Sequence, residues 1–255
     1  MMSKVWLDFG HGGNDPGAIG KRSKEKDNVL KVGMRVKALL EAAGHTVKLS
    51  RSTDVFVSLG ERARMANAWD ADYFISLHNN AATATATGFE TFIYNGSVSS
   101  ATSKLQSSIH NTIAGSIGVV DRGRKRANYS VLRETNMPAV LIEYAFISNT
   151  NDENILINEV EKLAQLTAQG IINYAGGKKV AAVDKKEEVN KVWVEFSSPT
   201  LKREFETFLG SKAQQEIAVQ AGVDQGYMES WLTNKGAKPG DKAMLGLGAT
   251  IKQNK

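Results

Sequence analysis

The sequence predicts an α/β fold, a mixed central sheet flanked by helices, with a small, mainly helical C-terminal domain behind it. Three observations carry this expectation. Through residues 1–175 short β-prone runs alternate with longer segments of helical spacing. A charged stretch of small residues follows Tyr174, and a separate apolar set resumes beyond it. With 255 residues and 42% hydrophobic content, the chain can bury a core as one large domain or two smaller ones.

Lys4 to Phe9 is β-rich. Lys26 to Ala43 carries Val29, Leu30, Met34, Leu39 and Leu40 at helical spacing and stops at Gly44. His45 to Leu49 is again β-prone. Ser58-Leu59-Gly60-Glu61 has the form of a capping box, which starts a helix running to about Trp69. Tyr73 to His78 and Phe89 to Tyr94 read as strands, Ala101 to Ile117 as a helix, Ala139 to Phe146 as a buried strand, and Asn158 to Tyr174 as a closing helix. Residues 176–188, with Gly176-Gly177-Lys178-Lys179 and Asp184 to Glu188, form a linker. Residues 189–255 hold Val192, Trp193, Phe196, Phe205, Phe208 and Trp231, enough apolar surface for a second domain. No internal repeat relates the two parts.

The net charge of +5 and the pI near 9.2 suit an anionic partner, be it nucleic acid, membrane surface or acidic wall polymer, without choosing among them. With no cysteine in the chain, disulfides and thiolate zinc sites are excluded, so a metal would be held by His, Asp or Glu. No run approaches the roughly 18 apolar residues of a membrane span, and no apolar signal segment precedes Lys4. The expectation is a chain without a signal peptide that begins in a cytosol and does not enter a membrane.

Chemistry enters with the histidines. His11 sits among glycines in D-F-G-H-G-G-N-D-P-G-A, directly after an apolar run, where a strand of an α/β fold ends and sites cluster. His78, in F-I-S-L-H-N-N, repeats the arrangement. His45 and His110 follow a helix stop and fall inside a helical pattern, and read as surface or packing residues. Glu143 interrupts the apolar run Ala139 to Phe146, a costly place for an acid unless it is paired or used. Two strand-end imidazoles and a carboxylate suit Zn²⁺ with a position left open for water, although spacing does not say which carboxylate binds and which acts as a base.

The segments L-D-F-G-H-G-G-N-D-P-G-A, K-E-K-D-N, F-V-S-L-G-E-R-A-R-M-A-N, F-I-S-L-H-N-N-A, G-F-E-T-F and Y-S-V-L-R-E-T-N-M-P-A-V-L-I-E-Y-A-F-I-S-N stand in order over residues 1–175. Together they resemble the zinc-dependent N-acetylmuramoyl-L-alanine amidases of the amidase-3 type. The resemblance implies hydrolysis of the amide between N-acetylmuramic acid and L-alanine in peptidoglycan, with His11, Glu25 and His78 as metal ligands and Glu143 as catalytic acid and base. Glu25, between Lys24 and Lys26, is singled out by the resemblance alone. Phe9 replaces the Pro or Ala often found before Gly-His-Gly-Gly in the family, and the ligand set stays intact. The glycines around His11 are expected to let the backbone pass close to the metal and leave room for a glycan. Arg133 is either a group near the substrate or the partner of Glu134 in an ion pair.

Residues 189–255 admit three readings: a cell-wall-binding domain, as accompanies such amidases in phage endolysins; a helix-turn-helix around Ala221-Gly222-Val223-Asp224; or small packed helices. The recognition stretch of the second, Gln225 to Thr233, offers Glu229 and no Arg or Lys, which is poor for DNA. The expected role is therefore a phage endolysin or an autolysin of the same chemistry, held in the host cytoplasm until release to the wall, with peptidoglycan and anionic wall polymers as partners. Host, wall chemotype and oligomeric state are left open.

Overall fold

A computed structural model describes residues 2–178. The linker from Lys179 onward and the expected C-terminal domain lie outside the described residues.

Six strands form one mixed sheet: β1 (Lys4–Phe9), β2 (Thr46–Leu49), β3 (Tyr73–Asn80), β4 (Phe89–Tyr94), β5 (Asp121–Ala127) and β6 (Ala139–Phe146), in the spatial order β2-β1-β3-β6-β4-β5. Neighbours in β2-β1-β3-β6 run parallel, β6 and β4 are antiparallel, and β4 and β5 are parallel. The helices are α1 (Glu25–Ala42), α2 (Leu59–Ala68), α3 (Ser100–Ile113), α4 (Ser130–Arg133), α5 (Thr150–Asn158) and α6 (Val160–Ala175).

Strand alternation sorts side chains onto two faces. Val5, Leu7 and Phe9 of β1 and Val140, Ile142 and Tyr144 of β6 pack with α1, α3 and α6 in the larger core. Trp6, Phe74, Phe92, Ala139 and Leu141 pack with Ala66 of α2 and Val131 and Leu132 of α4 in a smaller one. By the same alternation Asp8, Ser76, His78, Glu90 and Glu143 belong to the smaller-core face, so every polar side chain of the central strands that matters below lies on one side of the sheet.

The expected mixed sheet and flanking helices are present. The predicted capping box is half made: Ser58 Oγ accepts from Glu61 N at 3.4 Å, while the Glu61 carboxylate pairs with Arg64. The helix expected to reach Ile117 stops at Ile113, because Ala114 leaves helical geometry and Gly115 follows at φ +73. Three elements went unpredicted: β5, the one-turn helix α4 and α5. In β5, Asp121-Arg122-Gly123-Arg124-Lys125-Arg126-Ala127 has no apolar alternation because it is an edge strand, where charge discourages pairing with another sheet. The start of α5 is set by Asn149, whose side chain accepts from Asn151 N and Asp152 N.

His45 and His110 are packing residues, both buried. His45 lies between Ser3 N and Gly176 O, and His110 joins Thr91 Oγ1 to Asp121 Oδ1, each contact 3.0 Å, fastening β5 to α3.

Among the described residues, one ion pair sits wholly inside. Asp8 is 0% exposed and Arg62 2%, and Arg62 Nη1 donates to Asp8 Oδ1 at 2.7 Å. Ser50 Oγ and Ser76 Oγ donate to the same carboxylate at 2.5 and 2.7 Å. Burial alone would push Asp8 up, but the Arg62 charge and these hydrogen bonds hold it below the usual carboxylate range. Removing one partner of such a pair leaves an uncompensated charge, so Arg62→Met is expected to cost about 3–5 kcal/mol in urea unfolding. With its folded-state pKa depressed, Asp8 binds fewer protons folded than unfolded. Its contribution is therefore present above the unfolded value of about 3.9 and lost as pH falls through the folded one. Asp8→Asn should be less stable at neutral pH and lose less stability on acidification. Parallel acid limbs in the two proteins would contradict this.

Candidate metal centre and active site

Because β1, β3 and β6 are parallel, their C-terminal ends open along one edge of the sheet, where α/β folds place their sites. His78 lies on β3, register neighbour of Glu143 on β6, just before an irregularity in the pairing. His11 sits two residues beyond β1, and Glu25 is the first residue of α1.

The four residues named from the sequence come together. Glu25 Oε1 is 3.1 Å from His11 Nε2 and 2.9 Å from His78 Nδ1. One donor atom from each of the three residues lies within 4.8 Å of the others. Backbone groups hold the carboxylate: Ala18 N donates to Oε2 at 2.8 Å and Asn79 N to Oε1 at 3.0 Å. Burial would raise Glu25, but hydrogen bonds from both imidazoles and their charges bring it well below the ordinary range. It is a carboxylate at neutral pH. Asp15 Oδ2 lies 2.9 Å from His11 Nδ1 and so orients the ring with Nε2 toward Glu25. Two imidazoles and a buried carboxylate from three separate segments suit a divalent metal of zinc type, with room for further ligands.

Glu143 is held differently. Its Oε2 is buried and has no hydrogen-bond partner. Burial first, and then the charges of Glu25 and Glu90, push it well above the usual value. The two carboxyl groups of the site are thus shifted in opposite directions, Glu25 downward by its donors and Glu143 upward by burial. His11, His78 and Glu143 line a cavity of about 260 Å³ whose rim includes Phe56, Leu59 and Tyr129.

The His11 loop is clamped rather than free. His11 has φ +61, a left-handed conformation costly for a residue with a Cβ. Arg62 Nη2 donates to His11 O at 2.7 Å and Nη1 to Phe9 O at 2.6 Å, and Arg51 donates to Phe9 O at 3.0 Å and Gly10 O at 2.9 Å. Two arginines therefore fix three successive carbonyls. The glycines do part of what the sequence suggests. A Cβ on Gly10 would stand 2.2 Å from His78 Cε1, and on Gly17, at φ +65, 2.6 Å from both Glu25 Oε2 and His11 Cδ2. Gly12 and Gly13 instead pack against the backbone of Val55 and Phe56, so they admit a neighbouring loop and not a glycan.

Residues 5–173 match the family model described as N-acetylmuramoyl-L-alanine amidase. The chain belongs to that family. It is 41% identical over 174 residues to the sporulation-specific N-acetylmuramoyl-L-alanine amidase of Bacillus subtilis (strain 168), covering 67% of each chain. It is 45% identical over 197 residues to the endolysin of Bacillus phage SPP1, covering 74% of this chain and 72% of that one. The solved catalytic domain of CwlV, an N-acetylmuramoyl-L-alanine amidase from Bacillus (Paenibacillus) polymyxa var. colistinus, superposes with a TM-score of 0.66 at 34% identity, over 69% of this chain and all of that one. The amidase of Clostridium difficile 630 gives 0.65 at 38% identity, over 68% of this chain and 97% of that one.

Within this amidase, sequence reasoning overlooked Asp8, Asp15, Arg51, Arg62 and Glu90. Asp8 carried the same signal as Glu143, an acid inside an apolar strand. Arg133 takes the structural alternative, pairing with Glu134 at 2.9 Å and with Asn128. Since Gly10 has no space for a methyl group, Gly10→Ala should displace the His78 ring. It is expected to lower wall-lysis activity about 10- to 100-fold while the circular dichroism spectrum stays native. Activity within twofold of the parent would contradict the close approach.

Proposed function

We propose that this peptidoglycan hydrolase is a zinc enzyme in which His11, Glu25 and His78 hold the metal and Glu143 transfers protons. The observation that carries the reading is the convergence of the three donors beside a buried, unpartnered carboxyl group in one cavity. Bound there, zinc supplies Lewis acidity that makes water nucleophilic near neutral pH and polarises the amide carbonyl. The chain's own groups do the rest. Asp15 keeps the His11 ring turned toward the site, and the arginine clamps keep its backbone in place. The ionised form of Glu143 takes a proton from the attacking water, and its raised pKa favours holding that proton until it passes to the alanine nitrogen, so that the amine leaves as a neutral group. Phe56, Leu59 and Tyr129 form the wall against which the substrate is desolvated. The water is the nucleophile, so no covalent enzyme intermediate forms.

Wall lysis is the favoured setting, as the match to the phage endolysin runs over 197 residues and that to the sporulation amidase over 174. In that setting the enzyme stays in the host cytoplasm until it reaches the wall. Residues 1–175 form the catalytic domain, residues 176–188 a linker, and residues 189–255 a wall-binding domain that favours anionic wall polymers over nucleic acid.

Two variants separate metal binding from proton transfer. His78→Ala should lose zinc by elemental analysis and lose lysis with it. Glu143→Gln should keep zinc and fold but fall on the order of 10² or more in rate. Full activity without metal would overturn the zinc reading, and near-normal turnover of Glu143→Gln would move the base elsewhere. Digestion of defined walls should release new amino-terminal L-alanine and no new reducing ends.

The domain assignment is tested by truncation after residue 178. A tethered binder acts through effective concentration, so the truncated protein should lose much more activity on whole walls than on soluble muropeptides. Equal losses on the two substrates, or a tail that ignores walls and shifts duplex DNA in a salt-dependent way, would reject wall binding.

A further inference from the structure

One charged cluster near the site is not used by this chemistry. Glu90 on β4 is the antiparallel register neighbour of Glu143 and is only 5% exposed in its side chain. From the next strand, β5, Arg122 Nε donates to Glu90 Oε2 at 3.0 Å, and Lys125 Nζ donates to the same oxygen. Asn80 Nδ2 donates to Glu90 Oε1 at 2.5 Å. Two cations therefore share one anion, and both are partly open to solvent, with side chains 38% and 37% exposed. Arg122 lies over the Phe146 ring, 4.9 Å from its centroid, and Lys125 over Phe92 at 5.9 Å. Phe92 in turn meets Tyr129 of the cavity rim at 5.3 Å between ring centroids. The carboxylates of Glu143 and Glu90 both act on the Tyr129 hydroxyl. The pair lies outside the cavity lining, two strands from that of Glu143 and joined to the lining residue Tyr129 through Phe92, and carries one positive charge beyond what Glu90 neutralises.

We infer that Arg122 and Lys125 form an anion subsite that takes a free carboxylate of the stem peptide, on the leaving side of the scissile amide. The inference rests on the amidase reading. Strands are spaced about 4.8 Å apart, so β5 lies two steps, roughly 10 Å, from the strand of Glu143, and its long side chains reach back over β4 toward Glu90. An extended peptide advances about 3.5 Å per residue, which brings a carboxylate on the residue after the alanine into their range. A partly desolvated guanidinium and ammonium, held by aromatic rings and a buried acid, are positioned to accept that group without reorganisation. Phe56 and Leu59, which also line the cavity, offer apolar surface to the glycan.

The test compares two soluble muropeptides that differ only in whether the residue after L-alanine carries a free carboxylate or a carboxamide. The parent enzyme should prefer the carboxylate form by about tenfold or more in kcat/KM, mainly through KM. In Arg122→Gln, Lys125→Gln and the double variant this preference should fall toward one, because the loss is larger on the carboxylate substrate than on the carboxamide. No preference in the parent, or equal losses on both substrates, would overturn the subsite and leave the pair as neutralisers of Glu90. Calorimetry of the two free alanyl peptides with the full-length parent needs neither folded variants nor turnover. Tighter binding of the carboxylate form supports the subsite, and equal binding rejects it. A chain that binds selectively but releases no L-alanine terminus would sink the amidase reading and not the subsite.

Discussion

The buried Asp8–Arg62 pair connects the sheet to the site. Asp8 is anchored by Ser50 and by Ser76 of the neighbouring strand β3, so the guanidinium it fixes is referenced to the centre of the sheet. From that position Arg62, on α2, reaches the carbonyls of Phe9 and His11 and, through Nε, that of Val57 at 2.9 Å. The backbone of His11 and the segment before α2 are thereby tied to one side chain, with Arg51 and Asp15 completing the hold on the loop and the ring. Without the anchored carboxylate, an arginine in so apolar a place would be unsupported. Without the arginine, the carbonyls of His11 and Val57 would lose this donor and that of Phe9 would keep only Arg51, so the strained conformation of His11 would lose its support.

Around that frame the electrostatics are graded across one face of the sheet. Glu25 is surrounded by donors and Glu143 by none on its buried oxygen, so identical functional groups within one site hold opposite protonation preferences. Glu90 is a third case, a buried acid compensated from the edge strand by two cations. Its own charge adds to the burial that raises Glu143, and Arg122 and Lys125 lie beside it as counter-charges.

Much of this was legible in the chain because the central strands are bounded by strong punctuation and buried on both faces. Lys4 to Phe9, Phe89 to Tyr94 and Ala139 to Phe146 were read with the bounds they have. His11 and His78 stood out because each follows an apolar run, and Glu143 because it breaks one. Glu25 did not: its burial is created by His11, His78 and the loop at Ala18, and its own neighbours are lysines, so only the family resemblance identified it. Arg62 was hidden for a related reason. Its partner lies 54 positions away, and local periodicity treats a buried arginine as a solvated one. β5 was invisible because edge strands are selected for charge and not for alternation. The acid in β1 could have been read by the criterion that exposed the one in β6.

The strand order has a consequence for biosynthesis. Among the described strands β6 is the last to emerge from the ribosome, yet it lies in the interior of the sheet, between β3 and β4. Until residues 139–146 are made, the segment bearing β1, β2 and β3 and the segment bearing β4 and β5 have no common strand to join them. Glu143 arrives on the element that closes this gap. Completion of the sheet and arrival of Glu143 are therefore one event. A chain stopped before residue 139 carries His11, Glu25 and His78 without Glu143 and without the strand that joins the two halves of the sheet.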